Sequence, residues 1–286
     1  MRIGTWNMAS HLRSWDYLAD LASGAALPDG RGLDVVLVQE ALPPPPVPWR
    51  IFPDPSDTSQ WRTIAPAVRK FTTAIVVFGR ALEVEAVPVV ALNDSANAHG
   101  DFLASSHLGA FRAVQVSVEG RSCILISAYG LQDDKNRTKT WGSTYAMTTL
   151  HRLCSDLTPL LDSEPGRRVV LGGDLNAGTQ YWQGQKYDSW SLTLWQRIME
   201  FGFTDCLPAM VASDRGGLPR CACGGGADCR HTLTSRVNKP NARPWENDHV
   251  LAMPGVKATA CFALNAPDSS AWHYSDHCPV VADLLL

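Results

Sequence analysis

The sequence predicts an α/β fold, and three observations lead to this prediction. Short runs of strand-forming residues alternate with longer segments whose apolar residues recur at helical spacing. Strand-like runs occur near both ends of the chain, at residues 3–7 and 280–285, so both are expected to contribute to one core. Hydrophobic residues make up 45% of the 286 residues and charged residues 19%, which is typical of a chain that buries a substantial core.

The first elements follow from their local patterns. Residues 3–7 predict a strand, and residues 11–26 predict an amphipathic helix with Ser10 as its N-cap. The apolar run 35–38 predicts a buried strand that ends at Glu40. A loop must follow, because the next stretch is too rich in proline to join a sheet interior.

The later elements follow the same rules. Further strands are predicted at residues 73–78, 82–90, 111–118, 123–129, 169–171, 249–252, 258–264 and 280–285. Helical spacing predicts one helix around residues 150–160 and another around 192–198. Gly172 and Gly173 are expected to break the strand that precedes them.

The organisation of the chain favours a single domain. We find no internal repeat and no linker, so residues 1–286 are interpreted as one domain. A segment at about 208–245 lacks periodicity and is rich in Gly, Cys and Arg, and we interpret it as an insertion in that domain.

Charge and hydropathy exclude some classes of protein. The formal net charge of −3 gives no overall attraction to nucleic acid or anionic membrane, so any such affinity has to be local. No apolar run approaches the roughly 18 residues of a membrane span, so we expect no membrane association. The first residues form a strand pattern and do not resemble a signal peptide, which favours a cytoplasmic location.

Polar residues gather at or just beyond the carboxyl ends of predicted strands, where α/β enzymes place catalytic groups. They are Asn7, Glu40, Tyr129, Asp174, Asn176, Asp248, Asp276 and His277. Several carboxylates at one rim repel one another unless a divalent cation lies between them, and oxygen ligands favour Mg²⁺, Mn²⁺ or Ca²⁺ over zinc. Each residue alone is better explained as an ordinary cap or turn, so only the set supports a metal site.

Five segments, taken together, resemble the endonuclease/exonuclease/phosphatase superfamily, in particular its members similar to exonuclease III and deoxyribonuclease I. They are Thr5-Trp6-Asn7, the run 36–40 ending in Gln39-Glu40, Gly172-Gly173-Asp174-Leu175-Asn176, Asn247-Asp248-His249 and Ser275-Asp276-His277-Cys278-Pro279. Their order and spacing match over nearly the whole chain. The resemblance implies a four-layer α/β sandwich, with two packed mixed β-sheets flanked by helices. It also implies Mg²⁺-dependent (or Mn²⁺-dependent) hydrolysis of phosphoesters.

The resemblance also implies which residues surround the metal. Glu40 corresponds to the principal metal ligand, with Asn7 beside it and Asp276 completing the oxygen shell or its water network. Tyr129 occupies the position of a tyrosine that contacts phosphate in the exonuclease III-like members. Ala9 stands where apurinic endonucleases carry an aspartate, so a second carboxylate beside the metal is not implied.

The remaining motif residues correspond to the groups that carry out hydrolysis. Asp174 would activate the attacking water, and Asn176 would hold that water or a phosphate oxygen. His277, oriented by Asp248, would donate a hydrogen bond to the phosphate oxygen that gains charge in the transition state. These roles match what phosphoryl transfer requires: charge neutralisation and an in-line water.

Two basic segments favour a polynucleotide substrate, and DNA in particular. Between Arg215 and Arg243, six basic residues accompany one acidic residue, and a second basic segment follows Tyr129. Such residues contact phosphates along a nucleic acid. The candidate nucleic-acid-binding residues are Lys135, Arg137, Lys139, Arg230, Arg236 and Arg243.

A cysteine cluster lies in the same insertion. Cys221, Cys223, Cys229 and His231 form a ligand set that could close a tetrahedral structural zinc site. The spacing matches no standard zinc finger, so reduced surface thiols or a local disulfide explain it equally well.

The favoured function is a divalent-metal-dependent nuclease that hydrolyses DNA phosphodiester bonds with activated water. The alternatives are a phosphatase or phosphodiesterase acting on a small metabolite, nucleotide or lipid headgroup, and a catalytically silent nucleic-acid-binding module. His107 and His249 are left outside the catalytic set, because lone histidines near strand ends are more often structural. The sequence identifies no recruiting protein partner.

Overall fold

The computed structural model describes residues 1–65, 67–79, 81–97, 99–131, 145–163, 165–178, 188–210, 232–236 and 245–286. The strands in these residues are β1 (Arg2–Asn7), β2 (Val35–Ala41), β3 (Arg50–Phe52), β4 (Thr63–Ala65), β5 (Ala67–Arg69), β6 (Thr72–Val77), β7 (Glu83–Val87), β8 (Val89–Ala91), β9 (Leu103–Ser105), β10 (Phe111–Val118), β11 (Arg121–Tyr129), β12 (Val169–Asp174), β13 (Thr204–Asp205), β14 (Asp248–Ala252), β15 (Lys257–Ala263) and β16 (Val280–Leu285). The α-helices are α1 (Ser14–Ser23), α2 (Tyr145–Leu161), α3 (Asp188–Glu200) and α4 (Cys206–Met210).

Twelve of these strands form two six-stranded mixed sheets. Sheet I has the order β15-β16-β1-β2-β6-β3, and sheet II has the order β13-β14-β12-β11-β10-β7. Each sheet contains one parallel pair, β1 with β2 in sheet I and β11 with β12 in sheet II. The other pairings within these two sheets are antiparallel.

The two sheets pack face to face and helices cover their outer faces. One apolar cluster contains Leu37 of sheet I together with Leu125 and Val170 of sheet II, so it lies between the sheets. A second cluster packs α1 against the outer face of sheet I. A third packs α2 and α3 against the outer face of sheet II. Because burial of these apolar faces drives the packing, the result is the four-layer α/β sandwich that the family resemblance implies.

The expected strand break at Gly172 is wrong, because β12 continues to Asp174. A Cβ atom on Gly172 would lie 2.7 Å from Leu37 Cδ1, and one on Gly173 would lie 1.8 Å from the carbonyl oxygen of Ala128. Glycine here allows close approach of neighbouring atoms inside a strand, which is the other common reason for glycine in a sheet.

Most other predicted elements are confirmed, with two further differences. Helix α1 begins at Ser14, later than predicted, and Ser10 is not its N-cap: the N-cap position is Arg13, without a side-chain hydrogen bond. The predicted strand at 82–90 is divided into β7 and β8 at Pro88, which has no N–H to donate to a sheet. In the part of the chain that the structure describes, no helix is long and apolar enough to span a membrane.

Candidate active site

The parallel pair of each sheet brings two polar residues to one rim of the sandwich. In sheet I, Asn7 ends β1 and Glu40 lies one residue before the end of β2. In sheet II, β11 ends at Tyr129 and β12 ends at Asp174, and these two residues are register partners. Parallel strands present their carboxyl ends on the same side, so each pair forms one half of a site.

Hydrogen bonds join the two halves. The Tyr129 hydroxyl donates to Glu40 Oε1 at 2.6 Å. Asn7 Nδ2 donates to Asp174 Oδ2 at 2.8 Å and approaches Glu40 Oε1 at 3.3 Å. The four strand-end residues that the sequence analysis selects, Asn7, Glu40, Tyr129 and Asp174, therefore form one connected group.

A second link between the sheets lies directly behind this group. Gln39 is completely buried, and its Nε2 donates to Ser127 Oγ at 3.0 Å. The Ser127 hydroxyl donates in turn to the carbonyl of Val38 at 3.0 Å. These polar groups satisfy one another between the sheets, as buried polar groups must. The sequence analysis gave Gln39 no role, because a glutamine at a strand end carries no distinctive signal.

Irregular backbone directs the Glu40 side chain toward the rim. The register of β2 against β6 shifts between Val38 and Ala41, and Glu40 itself has a φ of 49°. A bulge of this kind re-aims a side chain at the edge of a site. Ser10, with a φ of 55°, donates its hydroxyl to Glu40 Oε2 at 3.1 Å. Ser10 is therefore a contact of the candidate site.

The turn after Asp174 holds that carboxylate from its own chain. The backbone N–H of Asn176 donates to Asp174 Oδ1 at 2.9 Å, and Asn176 Nδ2 lies 3.2 Å from Asp174 Oδ2. Asn176 Nδ2 also donates to the carbonyl of Gly130 at 2.9 Å. Asn176 has a φ of 45°, a conformation that asparagine tolerates better than most residues.

His277 and Asp248 form the opposite wall of the site. Asp248 Oδ2 accepts a hydrogen bond from His277 Nδ1 at 2.8 Å and another from the Thr234 hydroxyl at 2.8 Å. Asp248 is fully buried, and its Oδ1 has no donor among the described residues. The arrangement fixes the ring of His277 and leaves Nε2 facing Asp174. Sequence reasoning missed Thr234, which lies in the insertion without periodicity.

Burial and neighbouring charges set the protonation of the two facing groups. Burial raises the pKa of Asp174 to about 7, partly opposed by the charge of His277. Burial disfavours the charged form of His277, but the carboxylates of Asp248, Asp174 and Asp276 outweigh it and raise its pKa to about 10. Asp174 is thus suited to accept a proton near neutral pH while His277 keeps its own.

Tyr129 is a neutral hydrogen-bond donor in this site. Burial, followed by the negative charges of Glu40 and Asp174, raises the pKa of the phenol well above its ordinary value. Its ring packs edge-on against Phe71, with centroids 5.9 Å apart. The hydroxyl therefore holds Glu40 without itself ionising.

Asp276 and Arg236 lie beside His277. The Asp276 side chain is partly exposed, and its backbone carbonyl accepts a hydrogen bond from the Arg236 N–H at 2.8 Å. The Arg236 guanidinium lies 4.3 Å from the ring centroid of Trp272, a cation–π contact. One candidate nucleic-acid-binding residue is therefore held next to the motif that contains Asp276 and His277.

Several sequence predictions concern residues outside those described. They are the basic residues Lys135, Arg137, Lys139, Arg230 and Arg243 and the candidate zinc ligands Cys221, Cys223, Cys229 and His231.

Comparison with known proteins agrees with this fold. A family model described as the endonuclease/exonuclease/phosphatase family matches residues 4–277. The chain belongs to this family. No curated protein matches it significantly in a sequence search.

Solved structures of similar fold span almost the whole chain. An AP endonuclease from Leishmania major has 16% identity and a TM-score of 0.60, covering 98% of this chain and 86% of that one. The endonuclease domain of TRAS1, a telomere-specific non-LTR retrotransposon, has 16% identity and a TM-score of 0.57. The match covers 100% of this chain and 98% of that domain. An endonuclease/exonuclease/phosphatase from Beutenbergia cavernae has 17% identity and a TM-score of 0.56. The match covers 100% of this chain and 71% of that one. At these identities the likeness establishes the fold.

The residues at the rim fit a hard divalent cation. Glu40 is partly exposed, and its carboxylate and that of Asp174 share the donor Asn7 Nδ2, so the rim holds two carboxylates, the ligand type that Mg²⁺ and Mn²⁺ prefer. Ligand atoms of Asp174, Asp248 and His277 lie within 4.8 Å of one another. His277 Nδ1 is already hydrogen-bonded to Asp248, however, and its Nε2 lies 3.8 Å from Asp174, so we describe these three as an ion-paired group that does not need a metal. Asn7 Nδ2 donates hydrogen bonds to the carboxylates of Glu40 and Asp174, and Asn7 Oδ1 accepts one from the Ala9 N–H at 2.8 Å.

Proposed function

We propose that this family member is a divalent-metal-dependent nuclease that hydrolyses DNA phosphodiester bonds, leaving 5′-phosphate and 3′-hydroxyl ends. One observation carries the proposal: a buried carboxylate, Asp174, faces the Nε2 atom of His277 across 3.8 Å. A proton acceptor and a charged donor thus face each other at the rim, beside the partly exposed Glu40. Water attack on a phosphodiester needs this combination.

Each residue has a defined part in this proposal. Asp174 takes the proton of the attacking water, and Asn176, whose Oδ1 has no donor among the described residues, accepts a hydrogen bond from that water. His277, charged and oriented by Asp248, donates to the phosphate oxygen that gains negative charge. Tyr129 holds Glu40 in place.

Glu40 would hold the metal, with Asp276 and Asn7 contributing to its oxygen and water shell. Asn7 acts as a direct ligand only if its amide turns over, because its nitrogen faces the carboxylates here. When bound, Mg²⁺ or Mn²⁺ would supply positive charge that stabilises the negative charge developing on the phosphate.

A DNA substrate is supported by charge and by the nature of similar proteins. Arg236 presents a guanidinium on Trp272 beside Asp276, and the sequence around it is strongly basic. An AP endonuclease and a retrotransposon endonuclease domain share the fold. A long anionic substrate that crosses the site would come within reach of the Arg236 guanidinium.

The test is cleavage of supercoiled plasmid, linear duplex and single-stranded DNA with Mg²⁺ or Mn²⁺, with EDTA and Asp174→Asn as controls. Metal-dependent cutting that is lost in the variant supports the nuclease and reveals whether cutting is internal or from an end. Small phosphoesters, including a nucleotide and an inositol phosphate, are assayed in parallel. Hydrolysis of these without DNA cleavage would replace the proposal with a phosphatase.

A further inference from the structure

His249 occupies a position outside the catalytic group, yet both of its ring nitrogens are engaged. The side chain is completely buried on β14, directly after Asp248. Its Nδ1 lies 2.8 Å from Asp205 Oδ2, and its Nε2 lies 2.8 Å from the backbone carbonyl oxygen of Ala177. The ring also packs against Trp195, with centroids 4.8 Å apart.

These contacts define the protonation state of His249. A backbone carbonyl can only accept, and an ionised carboxylate can only accept, so both ring nitrogens carry protons. Burial disfavours the charged ring, but Asp205, Glu246 and the Ala177 carbonyl outweigh it and raise the pKa to about 9. His249 is therefore an imidazolium at neutral pH.

The Ala177 carbonyl belongs to the turn that carries the catalytic side chains. It follows Asn176, whose left-handed conformation determines where the next peptide points. The same turn is held by the N–H of Leu175, which donates to the carbonyl of Asn247 at 2.8 Å. Gly178 packs closely against the segment that contains Glu246, because a Cβ on residue 178 would lie 2.7 Å from the carbonyl oxygen of Glu246. His249 supplies the side-chain contact that anchors the Ala177 carbonyl of this turn.

We propose that His249 is a positioning residue: a buried imidazolium that ties Asp205 to the Ala177 carbonyl and so holds the turn bearing Asp174 and Asn176 in its working geometry. The inference rests on the proposed nuclease function, and it adds a residue that touches neither the substrate nor the metal.

Two substitutions separate the two hydrogen bonds. In His249→Gln the amide nitrogen reaches the position of Nε2 and keeps the donor to Ala177. In His249→Asn the shorter amide nitrogen replaces Nδ1 and keeps only the donor to Asp205. We expect His249→Asn to lower kcat by about 10²-fold with little change in KM, since a displacement of about 1 Å costs that much. His249→Gln should recover most of the lost rate.

His273→Asn is the matched control, because this histidine is exposed. Urea unfolding confirms that each variant is folded under the assay conditions. Equal loss of kcat in His249→Gln and His249→Asn would show that the ring only fills space and would overturn the proposal. No loss in either variant would overturn it as well.

Nuclear magnetic resonance tests the same inference without the nuclease assay. Ring ¹⁵N spectra at neutral pH should show both nitrogens of His249 protonated, with or without Mg²⁺. The backbone amide peaks of Asn176, Ala177 and Gly178 should shift in His249→Asn and return in His249→Gln. A neutral ring, or a tightly bound metal that replaces the Nδ1 proton, would overturn the proposal. If the wild-type protein cleaves no DNA, the nuclease function fails, while these spectra still decide the role of His249.

Discussion

Asp174 Oδ2 and His277 Nε2 lie 3.8 Å apart, too far for a hydrogen bond and close enough for each charge to influence the other. With pKa values of about 7 and about 10, the pair holds an ionised Asp174 and a charged His277 over the interval between those values. A base and an acid are then present together, which is the requirement for acid–base catalysis at one phosphate.

The first prediction concerns the alkaline side of the pH–rate profile. Activity should fall when His277 loses its proton near pH 10, and Asp248→Asn should move this fall to lower pH, because Asp248 is the main contact that raises the pKa of His277. Initial rates of plasmid nicking across the alkaline range measure the effect. If activity falls at the same alkaline pH in Asp248→Asn as in the wild-type protein, the role given to His277 is contradicted.

The second prediction concerns Asp174. Asp174→Asn keeps the shape of the side chain but removes the proton acceptor, so the rate should fall by about 10²- to 10⁴-fold. The variant should remain folded, because the amide keeps the shape of the side chain and burial disfavours the charge that it removes. Single-turnover cleavage with Mg²⁺ gives the rate, and circular dichroism gives the folded state. Near-wild-type cleavage by this variant would refute the assignment of the base.

The third prediction concerns the phenol of Tyr129. Tyr129→Phe keeps the edge-on packing against Phe71 and removes the 2.6 Å hydrogen bond to Glu40. Because groups that orient a metal ligand typically affect metal affinity or activity by about 10- to 100-fold, the Mg²⁺ concentration for half-maximal activity should rise by that factor. Ser10→Ala provides a comparison, since it removes the longer contact to Glu40, at 3.1 Å. If Tyr129→Phe leaves the Mg²⁺ dependence unchanged, Tyr129 does not act through Glu40.

The fourth prediction concerns Arg236. Arg236→Ala should weaken DNA binding and reduce the salt dependence of the binding constant by about one phosphate contact, with kcat retained. Arg121→Ala is the matched control, because Arg121 begins β11, at the opposite end from Tyr129. Fluorescence anisotropy over a series of salt concentrations measures, for each variant, the slope of the logarithm of the binding constant against the logarithm of the salt concentration. Equal slopes for the two variants would place the binding surface elsewhere.

The fifth prediction concerns stability in the absence of metal. His277 and His249 have folded pKa values of about 10 and about 9, above the ordinary value of 6.5. Each charged ring therefore stabilises the fold fully below pH 6.5, and this contribution is lost as the pH rises through the folded pKa. Urea midpoints in EDTA should fall from neutral to strongly alkaline pH. The decrease in the urea midpoint should be smaller in His277→Gln, which loses one of the two buried histidines. His273→Gln is the control, because it keeps both His249 and His277.

The sequence predicted the residues whose chemistry is carried by short motifs. Asn7, Glu40, Asp174 and His277 each lie in a segment of recognisable pattern at a strand end, and the structure brings all four to one rim. Their roles remain proposals, whereas their proximity is a property of the fold.

The residues that sequence reasoning missed act through contacts without a local pattern. Thr234 reaches Asp248 from an irregular segment, and Ser10 reaches Glu40 from a residue of positive φ that precedes α1. Gly172 was misinterpreted for the same reason. Its neighbour Leu37 belongs to the other sheet, so the sequence around Gly172 does not indicate the close contact that requires glycine there.

The pairing of β1 with β16 has a consequence for how the protein is made. Arg2 contacts Asp283 through two hydrogen bonds, so β1 obtains one of its neighbours in sheet I only when β16 is present. Asp248 and His277 also come from late segments. During synthesis, a chain still lacking these segments carries Glu40 and Asp174 but has neither the opposite wall nor a completed sheet I. Removing these segments should therefore leave sheet I and the candidate site incomplete together, so neither can be kept without the other in a shortened chain.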